Sequence, residues 1–407
     1  MSKQIAILAT LDTKGQEAEF LSEQLALLGS DAVLVDIGVT GEAATTADVT
    51  REQVAVAAGT TLDAILRNPT REAAAPLMAK GAIAVLSSRL ERGELDGVLG
   101  LGGLQGTALC TEVMRALPYG LPKVMVSTVA SGNTAPYVDI KDITMMFSVG
   151  DILGLNPFSR MLLARAAGAV HGMAITDAGS FTRRSDKPLI GMTNLGVLTK
   201  GALEAIQAFD EAGYEVITFH AVGSGGRAME QMMKEGLIGA VFDYALGEIS
   251  DQYFEGLRAG GPERLTVAGK LGLPQVICPG GAEHLGVLVD PPHTVPDRYR
   301  GHRHVFHNPV VFVPRLLPEQ MVELAEEIAA RLQHTTGKAV FMMPLGGTGS
   351  YAKEGGPLRD PEGDRQFFQA LRDKLPKSIE IVERDTHAED PAFVREAVAR
   401  LLAMIEN

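Results

Sequence analysis

The sequence is poor in cysteine and has no long apolar run, and both absences narrow the class of protein. Only Cys110 and Cys278 occur in 407 residues, far apart and in apolar surroundings. A disulfide framework is therefore not expected, and a reducing cytoplasm is the expected compartment. No apolar run reaches the ~18 to 20 residues that a membrane-spanning helix needs. The opening residues MSKQIAILAT also lack the apolar core and cleavage site of a signal peptide.

Basic charge is scarce as well. The chain has 37 Lys and Arg against 50 Asp and Glu, a formal net charge of -13. Nucleic acid and anionic membranes are therefore not expected as partners, although a local basic pocket for a small anion is compatible with this charge. The 46% hydrophobic content is ordinary for a soluble globular protein. A chain of this length predicts two or three domains rather than one core.

What the sequence does contain is a regular alternation of strand and helix patterns. The segment QIAILAT predicts a buried strand, QEAEFLSEQLALLG predicts an amphipathic helix ended by Gly29, and DAVLVDIG predicts the next strand. This order is typical of a parallel β-α-β unit. Because the alternation continues, we predict an α/β fold with doubly wound, mainly parallel sheets.

The opening pattern returns after the polar stretch FTRRSDKP. In both copies a strand is followed by Thr-Lys-Gly, a helix and a second strand, so that Thr13 to Gly15 correspond to Thr199 to Gly201. We therefore predict two related α/β domains, residues 1–185 and residues 186–407, with the boundary near Ser185.

Three glycine-rich loops follow predicted strands: GLGGLQGT at 100–107, GSGGRAME at 223–230 and LGGTGS at 345–350. Glycine lets a ligand approach the backbone closely, and a helix that begins there offers free N–H groups to a phosphate or carboxylate. None is a P-loop, because the Gly-Lys-Ser/Thr ending is missing, and the first lacks the glycine spacing of the dinucleotide fingerprint. The alternative for each loop is that a tight strand-to-helix turn needs glycine in any case.

Polar residues surround the first of these loops. STVASGNTAPY follows the next strand, and Asp12, Thr13 and Lys14 end the first strand. Because the carboxyl ends of parallel strands meet at one edge, we expect these groups to lie side by side. Lys14 would neutralise a phosphate, and Asp12 would orient a metal or a sugar hydroxyl. An N-cap or a surface salt bridge is the alternative role for Asp12.

Longer motifs identify a family. LATLDTKGQEAEFL, GVLGLGGLQGTAL, RALPYGLPKVMVSTVASG, DITMMFSVGDILGLN and FHAVGSGGRAMEQM resemble the Tm-one-like ATP-binding domain proteins. That family has bacterial members and includes the N-terminal half of the tomato inhibitor of tobamovirus RNA replication. The resemblance covers essentially the whole chain. It implies two Rossmann-like domains, a homodimer, and ATP, with or without Mg²⁺, in the first domain.

The resemblance also assigns residues to the nucleotide. Asp36 ends the second strand, where a ribose contact is implied, and Arg71 is implied to reach the phosphates. Leu104 and Gln105 stand where the family usually has Ser and Gly. The full set implied for the nucleotide is Asp12, Thr13, Lys14, Asp36, Arg71, Gly102, Gly103, Gln105, Gly106, Thr107, Thr128, Ala130, Ser131 and Gly132.

Histidines concentrate in the second half, in the stretch PPHTVPDRYRGHRHVFHNP and around it. Because residues 290–309 are rich in His and Pro, we expect them to be irregular. His220 ends a predicted strand beside the second glycine loop, and together with Glu248 and His387 it is a candidate acid or base. His284 and His304 are candidate ligands of a divalent metal. We expect these five side chains to converge at the carboxyl edge of the second sheet. Scattered, hydrogen-bonded histidines are the alternative.

Two functions are therefore predicted. The first is a nucleotide-binding protein, with ATP held on the glycine loops of the first domain. The second is a metabolic enzyme that acts on a small anionic substrate in the interdomain cleft by His/Glu acid–base or divalent-metal chemistry. No nucleophile elbow, Walker pair or kinase motif set selects a reaction. The expected partners are a small-molecule nucleotide and a second copy of the chain.

Overall fold

A computed structural model describes residues 2–176 and 186–406 of the chain. The chain divides into two compact units, Met1–Phe181 and Thr182–Asn407, each built on a parallel sheet with helices packed against it. The α/β class predicted from the sequence is confirmed. The predicted boundary near Ser185 falls outside the described residues and stays a prediction.

The first unit contains five strands and seven helices within the described residues. Its strands are β1 Lys3–Ala9, β2 Ser30–Asp36, β3 Gly97–Gly102, β4 Lys123–Ser127 and β5 Thr144–Phe147. Its helices are α1 Leu11–Leu28, α2 Arg51–Ala57, α3 Leu62–Leu66, α4 Arg71–Glu91, α5 Leu104–Ala116, α6 Ala135–Val138 and α7 Pro157–Ile175. The strands are all parallel, in the order β2-β1-β3-β4-β5.

The side chains of β1 show why this sheet is covered on both faces. Successive residues of a strand point to opposite faces, and in β1 both sets are apolar. Ile5 and Ile7 enter one core cluster, while Ala6 and Leu8 enter another. A strand that is apolar on both faces is typical of a parallel sheet between two layers of helices.

The second unit has a larger sheet and a small additional one. Its strands are β6 Ile190–Asn194, β7 Val216–His220, β8 Ala240–Ala245, β9 Gln275–Gly280, β10 Val287–Leu288, β11 His304–Asn308, β12 Val311–Pro314, β13 Ala339–Pro344 and β14 Glu380–Arg384. Its helices are α8 Thr199–Glu211, α9 Ser224–Lys234, α10 Gly247–Tyr253, α11 Val267–Leu271, α12 Pro318–Leu332, α13 Pro361–Lys374 and α14 Pro391–Glu406. The parallel sheet has the order β14-β13-β9-β8-β6-β7, and the small antiparallel sheet has the order β10-β12-β11.

Both parallel sheets begin with the same strand order. In each unit the first strand lies between the second and the third, at β2-β1-β3 and at β7-β6-β8. The second and third strands therefore lie on opposite sides of the first strand. The connections that lead to them diverge, and a crevice opens at the carboxyl ends of the central strands. Ligands of open α/β sheets bind at this switch point.

Part of the His-rich stretch is more regular than the sequence suggests. We expected residues 290–309 to be irregular, but β11 lies within it and pairs with β12, with a bulge between Phe306 and Asn308. Val305 pairs with Val313, and Phe306 pairs with Phe312 with their rings 5.4 Å apart, so apolar contacts between the strands hold β11 in place. Among the described residues, no helix is both long and apolar enough to cross a membrane.

Candidate functional site

The glycine loop of the first unit leads from β3 directly into α5. Gly103 is the N-cap residue, with φ -76°, and has no side chain to accept a hydrogen bond. The amide of Thr107 donates the first bond of the helix, to the carbonyl of Gly103 at 2.8 Å. The amides of Leu104, Gln105 and Gly106 precede that bond and lie at the positive end of the helix dipole. This helix start has the geometry of an anion site.

Close packing beneath the loop limits the size of its other residues. A Cβ on Gly102 would lie 2.7 Å from the Cα of Gly106, so a side chain does not fit there. The buried hydroxyls of Thr107 and Ser127 share a hydrogen bond of 2.7 Å. The amide of Thr128 donates to the carbonyl of Gly102 at 3.3 Å. The Thr107 hydroxyl therefore fixes the loop from below rather than facing a ligand.

The start of α1 lies on the other side of the switch point. Oδ1 of the buried Asp36 accepts from the amides of Leu11 at 3.1 Å and Gly38 at 2.9 Å. Asp36 thus joins the end of β2 to the start of α1. Asp12 is half-buried and packs against Gly41, where a Cβ would lie 2.9 Å from the Asp12 Cβ.

Lys14 and Thr13 make local contacts in the same loop. The Lys14 ammonium donates to the carbonyl of Ile152, and Lys14 has non-helical φ and ψ at a kink in α1. The hydroxyls of Thr10 and Thr13 share a hydrogen bond of 2.9 Å. Lys14 therefore ties the first loop to the segment that follows β5.

The remaining predicted nucleotide contacts lie on exposed or half-buried backbone. Arg71 is the first residue of α4 and is exposed. Thr128 and Ala130 are half-buried, while Ser131 and Gly132 are exposed in a turn closed by the Gly132 amide. The structure therefore places the turn after β4 beside the glycine loop that follows β3, because the two strands are neighbours.

The second glycine loop, at the start of α9, is filled by the chain itself. Oε1 of Glu248 accepts from the amides of Gly223 at 2.6 Å and Gly226 at 3.0 Å. Its Oε2 accepts from Nε of Arg264 at 2.7 Å, and both side chains are fully buried. This helix start therefore holds a carboxylate that belongs to the protein.

The start of α8 is occupied in the same way. Oε1 of Glu389 accepts from the amide of Lys200 at 3.2 Å. The third glycine loop is also packed against backbone, since Gly347, with φ 134°, accepts from the amide of Ala388 at 2.9 Å. A carboxylate of the protein thus lies at the start of α8, whereas the start of α5 has no side-chain cap.

Arg264 is the centre of a buried charge cluster. Its guanidinium contacts both oxygens of Asp243, at 2.5 and 2.6 Å, in addition to Glu248. Glu230 lies 3.4 Å away and accepts from the amides of Leu265 and Val267. Burial raises the pKa of Glu230 to about 7, helped by Asp243 and opposed by Arg264. Three carboxylates thus share one arginine.

A cavity of about 420 Å³ opens at the carboxyl edge of the second sheet. The residues around it come from the end of β7, from the segments after β6, β7, β9, α10 and β13, and from β11 and β12 of the small sheet. Its lining residues are Leu195, Gly196, Val197, His220, Val222, Leu257, Arg258, His284, Gly286, His307, Val311, Val313, Ser350 and Tyr351. Apolar walls with a few converging polar groups are typical of a small-molecule site.

The polar end of the cavity is a chain of ionic hydrogen bonds. Nδ1 of His284 lies 2.9 Å from Oε1 of Glu283, whose Oε2 accepts from the hydroxyl of Thr348 at 2.6 Å. Nε2 of His284 lies 3.4 Å from Nη1 of Arg258. Asp251 holds Arg258 through Nε at 2.5 Å and through the backbone amide at 2.9 Å.

The charge on Glu283 fixes the tautomer of His284. Burial raises the pKa of Glu283, but His284, Arg315 and the Thr348 hydrogen bond together lower it to about 2. Glu283 is therefore ionised at neutral pH and accepts the proton on Nδ1 of His284. Nε2 is left as the basic atom of the ring.

The structure brings together only some of the five predicted acid–base and metal residues. His220 and His284 line the same cavity, whereas Glu248 belongs to the Arg264 cluster. His304 is exposed, and its Nδ1 contacts the carbonyl of His302 at 3.1 Å. The half-buried His387 follows β14, where it pairs with Gly347. Within residues 2–176 and 186–406, no group of three or more His, Cys, Asp or Glu side chains is placed to hold a metal ion.

Sequence reasoning missed most of the polar end of the cavity. One feature of the sequence indicated Glu283 as a site residue: it directly precedes a histidine shortly after a predicted strand. His307 was visible only as one of several histidines in the same stretch. Arg258 and Asp251 gave no signal, because Arg258 meets His284 across 26 residues and Asp251 accepts from the amide of Gly286 across 35 residues, and both contacts depend on the fold.

Comparison with known proteins matches the chain over nearly its whole length. Residues 3–179 match the N-terminal domain, and residues 187–405 the C-terminal domain, of the Uncharacterised protein family UPF0261. A UPF0261 protein of Clostridium tetani is 36% identical over 408 residues, all of both chains. The ToMV resistance protein Tm-1 of Solanum lycopersicum is 32% identical over 305 residues, 74% of this chain and 40% of that one. The family resemblance seen in the motifs is confirmed.

Solved structures are more distant. UDP-GlcNAc 2-epimerase of Methanocaldococcus jannaschii has a TM-score of 0.25 and 9% identity, covering 100% of this chain and 93% of that one. MurG of Acinetobacter baumannii has a TM-score of 0.22 and 11% identity, covering 98% and 94%. Scores this low support no statement about function.

Proposed function

The chain belongs to the UPF0261 family, and we propose that this member binds a phosphate-bearing nucleotide, with ATP as the leading ligand, on the first unit. The phosphates lie at the start of α5, at the switch point between β1 and β3. The Arg71 side chain reaches them from the start of α4. Asp12 orients a Mg²⁺ ion that accompanies the phosphates.

The observation that carries this proposal is the difference between helix starts. Buried carboxylates of the chain occupy the starts of α8 and α9, through Glu389 and Glu248. The start of α5 has Gly103 as its N-cap, and its first three amides precede the first helical bond. Since free amides at a helix start favour an anion, α5 is where an external phosphate fits.

Small residues let the phosphates approach the backbone. A Cβ on Gly106 would lie 3.4 Å from the carbonyl of Leu101, and one on Gly103 would lie 3.6 Å from the Thr128 hydroxyl. The exposed Leu104 and Gln105 side chains flank these amides. Leu104, 65% exposed, is well placed to cover an apolar face of the ligand. The Thr128, Ala130, Ser131 and Gly132 turn forms the opposite wall.

A matched pair of substitutions tests the proposal. Gly103→Asp and Gly103→Asn both place a favoured N-cap residue at the start of α5, and there is room for a Cβ. Only the charge differs between them. We expect Gly103→Asp to weaken ATP binding about tenfold or more relative to Gly103→Asn, because a carboxylate repels phosphate at this distance. Isothermal calorimetry with ATP and ADP measures the effect.

Two results would contradict the proposal. One is wild-type protein that binds neither ATP nor ADP at millimolar concentration. The other is equal affinity of the two variants, since a phosphate on these amides must sense the charge beside them.

A further inference from the structure

We propose that the cavity of the second unit is an acid–base site, in which His284 exchanges a proton with a small, largely apolar 2-oxo acid held by Arg258. This activity goes beyond nucleotide binding and uses residues of the second unit alone. Three features of the cavity carry it: the orientation of His284, the guanidinium of Arg258 beside it and the apolar walls.

His284 is oriented as a base. The ionised Glu283 accepts the Nδ1 proton, and Thr348 holds the other oxygen of that carboxylate. The same carboxylate stabilises the imidazolium that forms when Nε2 accepts a proton, which is the logic of carboxylate–histidine pairs in catalysis. His284 is only 3% exposed and lines the cavity, so the residue lies beside a sheltered volume rather than in bulk water.

Arg258 supplies the charge for an anionic oxygen. The Asp251 carboxylate accepts hydrogen bonds from Nε and Nη2 of Arg258. Nη2 also donates to the carbonyl of His284 at 2.8 Å. A guanidinium has five N–H groups in a fixed fork. Nη1 donates to Nε2 of His284 over a long 3.4 Å, and this bond gives way when an anionic oxygen of the substrate takes the Nη1 protons and leaves Nε2 free as the base. An oxygen bound to Nη1 is therefore held next to the base.

The walls define the rest of the substrate. Apolar side chains surround the polar end, and they come from four separate parts of the unit: Leu195, Val197, Val222, Leu257, Val311 and Val313. His220 and His307 lie at the same cavity and are exposed. A molecule with one carboxylate or carbonyl end and a branched hydrocarbon body matches this arrangement, because burying such a body is favourable and its anionic end meets Arg258.

The reaction step is proton abstraction next to the keto group. Nε2 of His284 takes a proton from the carbon beside the carbonyl, and the electron pair of that C–H bond moves to form an enolate. The negative charge on the enolate oxygen lies beside Arg258, where a fixed cation stabilises it. Return of the proton from Nε2 to the same carbon restores the 2-oxo acid, so the step needs no oxidant or other reactant.

The experiment uses the full chain and 4-methyl-2-oxopentanoate in D₂O, without nucleotide. Proton NMR follows the loss of the C3 proton signal as deuterium enters. We expect exchange at least about tenfold faster than with free imidazole at the same concentration, because an oriented base with a fixed cation lowers the barrier. The ketone 4-methylpentan-2-one, which lacks the carboxylate, should exchange much more slowly.

Histidine variants locate the activity. His284→Gln should abolish the exchange, whereas His334→Gln, at an exposed position after α12, should not change it. Because His284 is buried, a measurement on wild-type protein accompanies the variant. Diethyl pyrocarbonate should modify His284, and 4-methyl-2-oxopentanoate should protect it, as mapped by mass spectrometry.

Glu283 is a positioning residue, and its test is a pH profile. Glu283→Gln keeps both contacts, since the amide oxygen accepts from Nδ1 and the amide nitrogen donates to Thr348. It removes the charge that stabilises the imidazolium, so the pKa that governs the exchange rate should fall. A purely structural role would lower the rate equally at every pH.

Three results would overturn the proposal: no exchange by wild-type protein, unchanged exchange in His284→Gln, or no protection of His284 by the 2-oxo acid. Each is measured without nucleotide and with residues of the second unit. Failure here is therefore separate from failure of ATP binding at the start of α5.

Discussion

At the scale of single residues, carboxylates at strand ends have different roles that their chemistry alone does not reveal. Asp36, Glu248 and Glu389 accept from backbone amides at the starts of helices. Glu283 instead orients an imidazole. All four are buried. The groups that donate hydrogen bonds to each carboxylate therefore show its role, whereas its position in the sequence does not.

Glu230 should make stability depend on pH. Its folded pKa of about 7 lies above the ordinary value of 4.5, so its contribution is fully present below about pH 4.5 and is lost as the pH rises through 7. A shift of this size corresponds to about 3 kcal/mol. We expect Glu230→Gln to flatten the fall in thermal stability of the second unit between pH 4.5 and 7, as followed by calorimetry.

An exposed glutamate provides the control for this prediction. Glu319→Gln, on the solvent face of α12, should leave the pH profile of stability as in the wild type. If Glu230→Gln also leaves it unchanged, the buried cluster does not take up a proton on Glu230.

At the scale of helices, glycines that look alike in the sequence have different roles. A Cβ on Gly201, in the first turn of α8, would lie 1.9 Å from the hydroxyl of Tyr244. That hydroxyl donates to the carbonyl of Ala388 at 2.7 Å, so it cannot move without breaking a buried bond. Gly168, inside α7, has no atom within 4 Å of a Cβ.

Alanine substitutions at these two glycines should therefore have opposite effects. Gly201→Ala should destabilise the second unit by about 1–3 kcal/mol through overpacking. Gly168→Ala should stabilise the first unit by roughly 0.5–1 kcal/mol, because glycine is unfavourable inside a helix. Thermal unfolding followed by circular dichroism measures both. Equal effects of the two substitutions would show that the close approach of α8 to Tyr244 is not the cause.

At the scale of the whole molecule, the first unit carries an exposed apolar surface. Its members lie on α7 and on the segment before it, and include Val149, Leu153, Phe158, Met161 and Ile175, each at least 40% exposed. Surfaces of this kind mark interaction sites in soluble proteins. The family resemblance implies a homodimer, and this surface is where we expect the second copy.

Sedimentation tests the homodimer. We expect the wild-type chain of 43.2 kDa to sediment as a dimer at micromolar concentration. Leu153→Glu should shift it to monomer. Leu153 is 74% exposed, so the monomer tolerates a charge there, whereas the dimer would bury that charge in an apolar interface. Leu203→Glu, at a 63% exposed leucine of α8 in the second unit, serves as the matched control. A wild-type chain that sediments only as monomer would contradict the prediction.

Much of the fold could be predicted because its signals are local. Apolar runs and helical spacing placed β1, α1 and β2, and Gly29, with φ 89°, ends α1 as predicted. The first glycine-rich loop was also predicted, because its glycines lie between a strand pattern and a helix pattern. The main error lay in the His-rich stretch, where β11 depends on pairing with β12 and on contact with Phe312, neither of which is visible in a short window.

The sequence by itself determined the strand–helix alternation and the places where glycine allows a backbone to approach a ligand, because both depend on neighbouring residues. Only the tertiary structure decided which of those places is open. Glu248 fills the α9 start from 25 residues away, and Glu389 fills the α8 start from 189 residues away. The cavity end depends on folding in the same way, since Arg258 meets His284 across 26 residues. Hydrogen bonds act over about 3 Å, so contacts between residues this distant in the chain exist only once the sheet has brought its strand ends together.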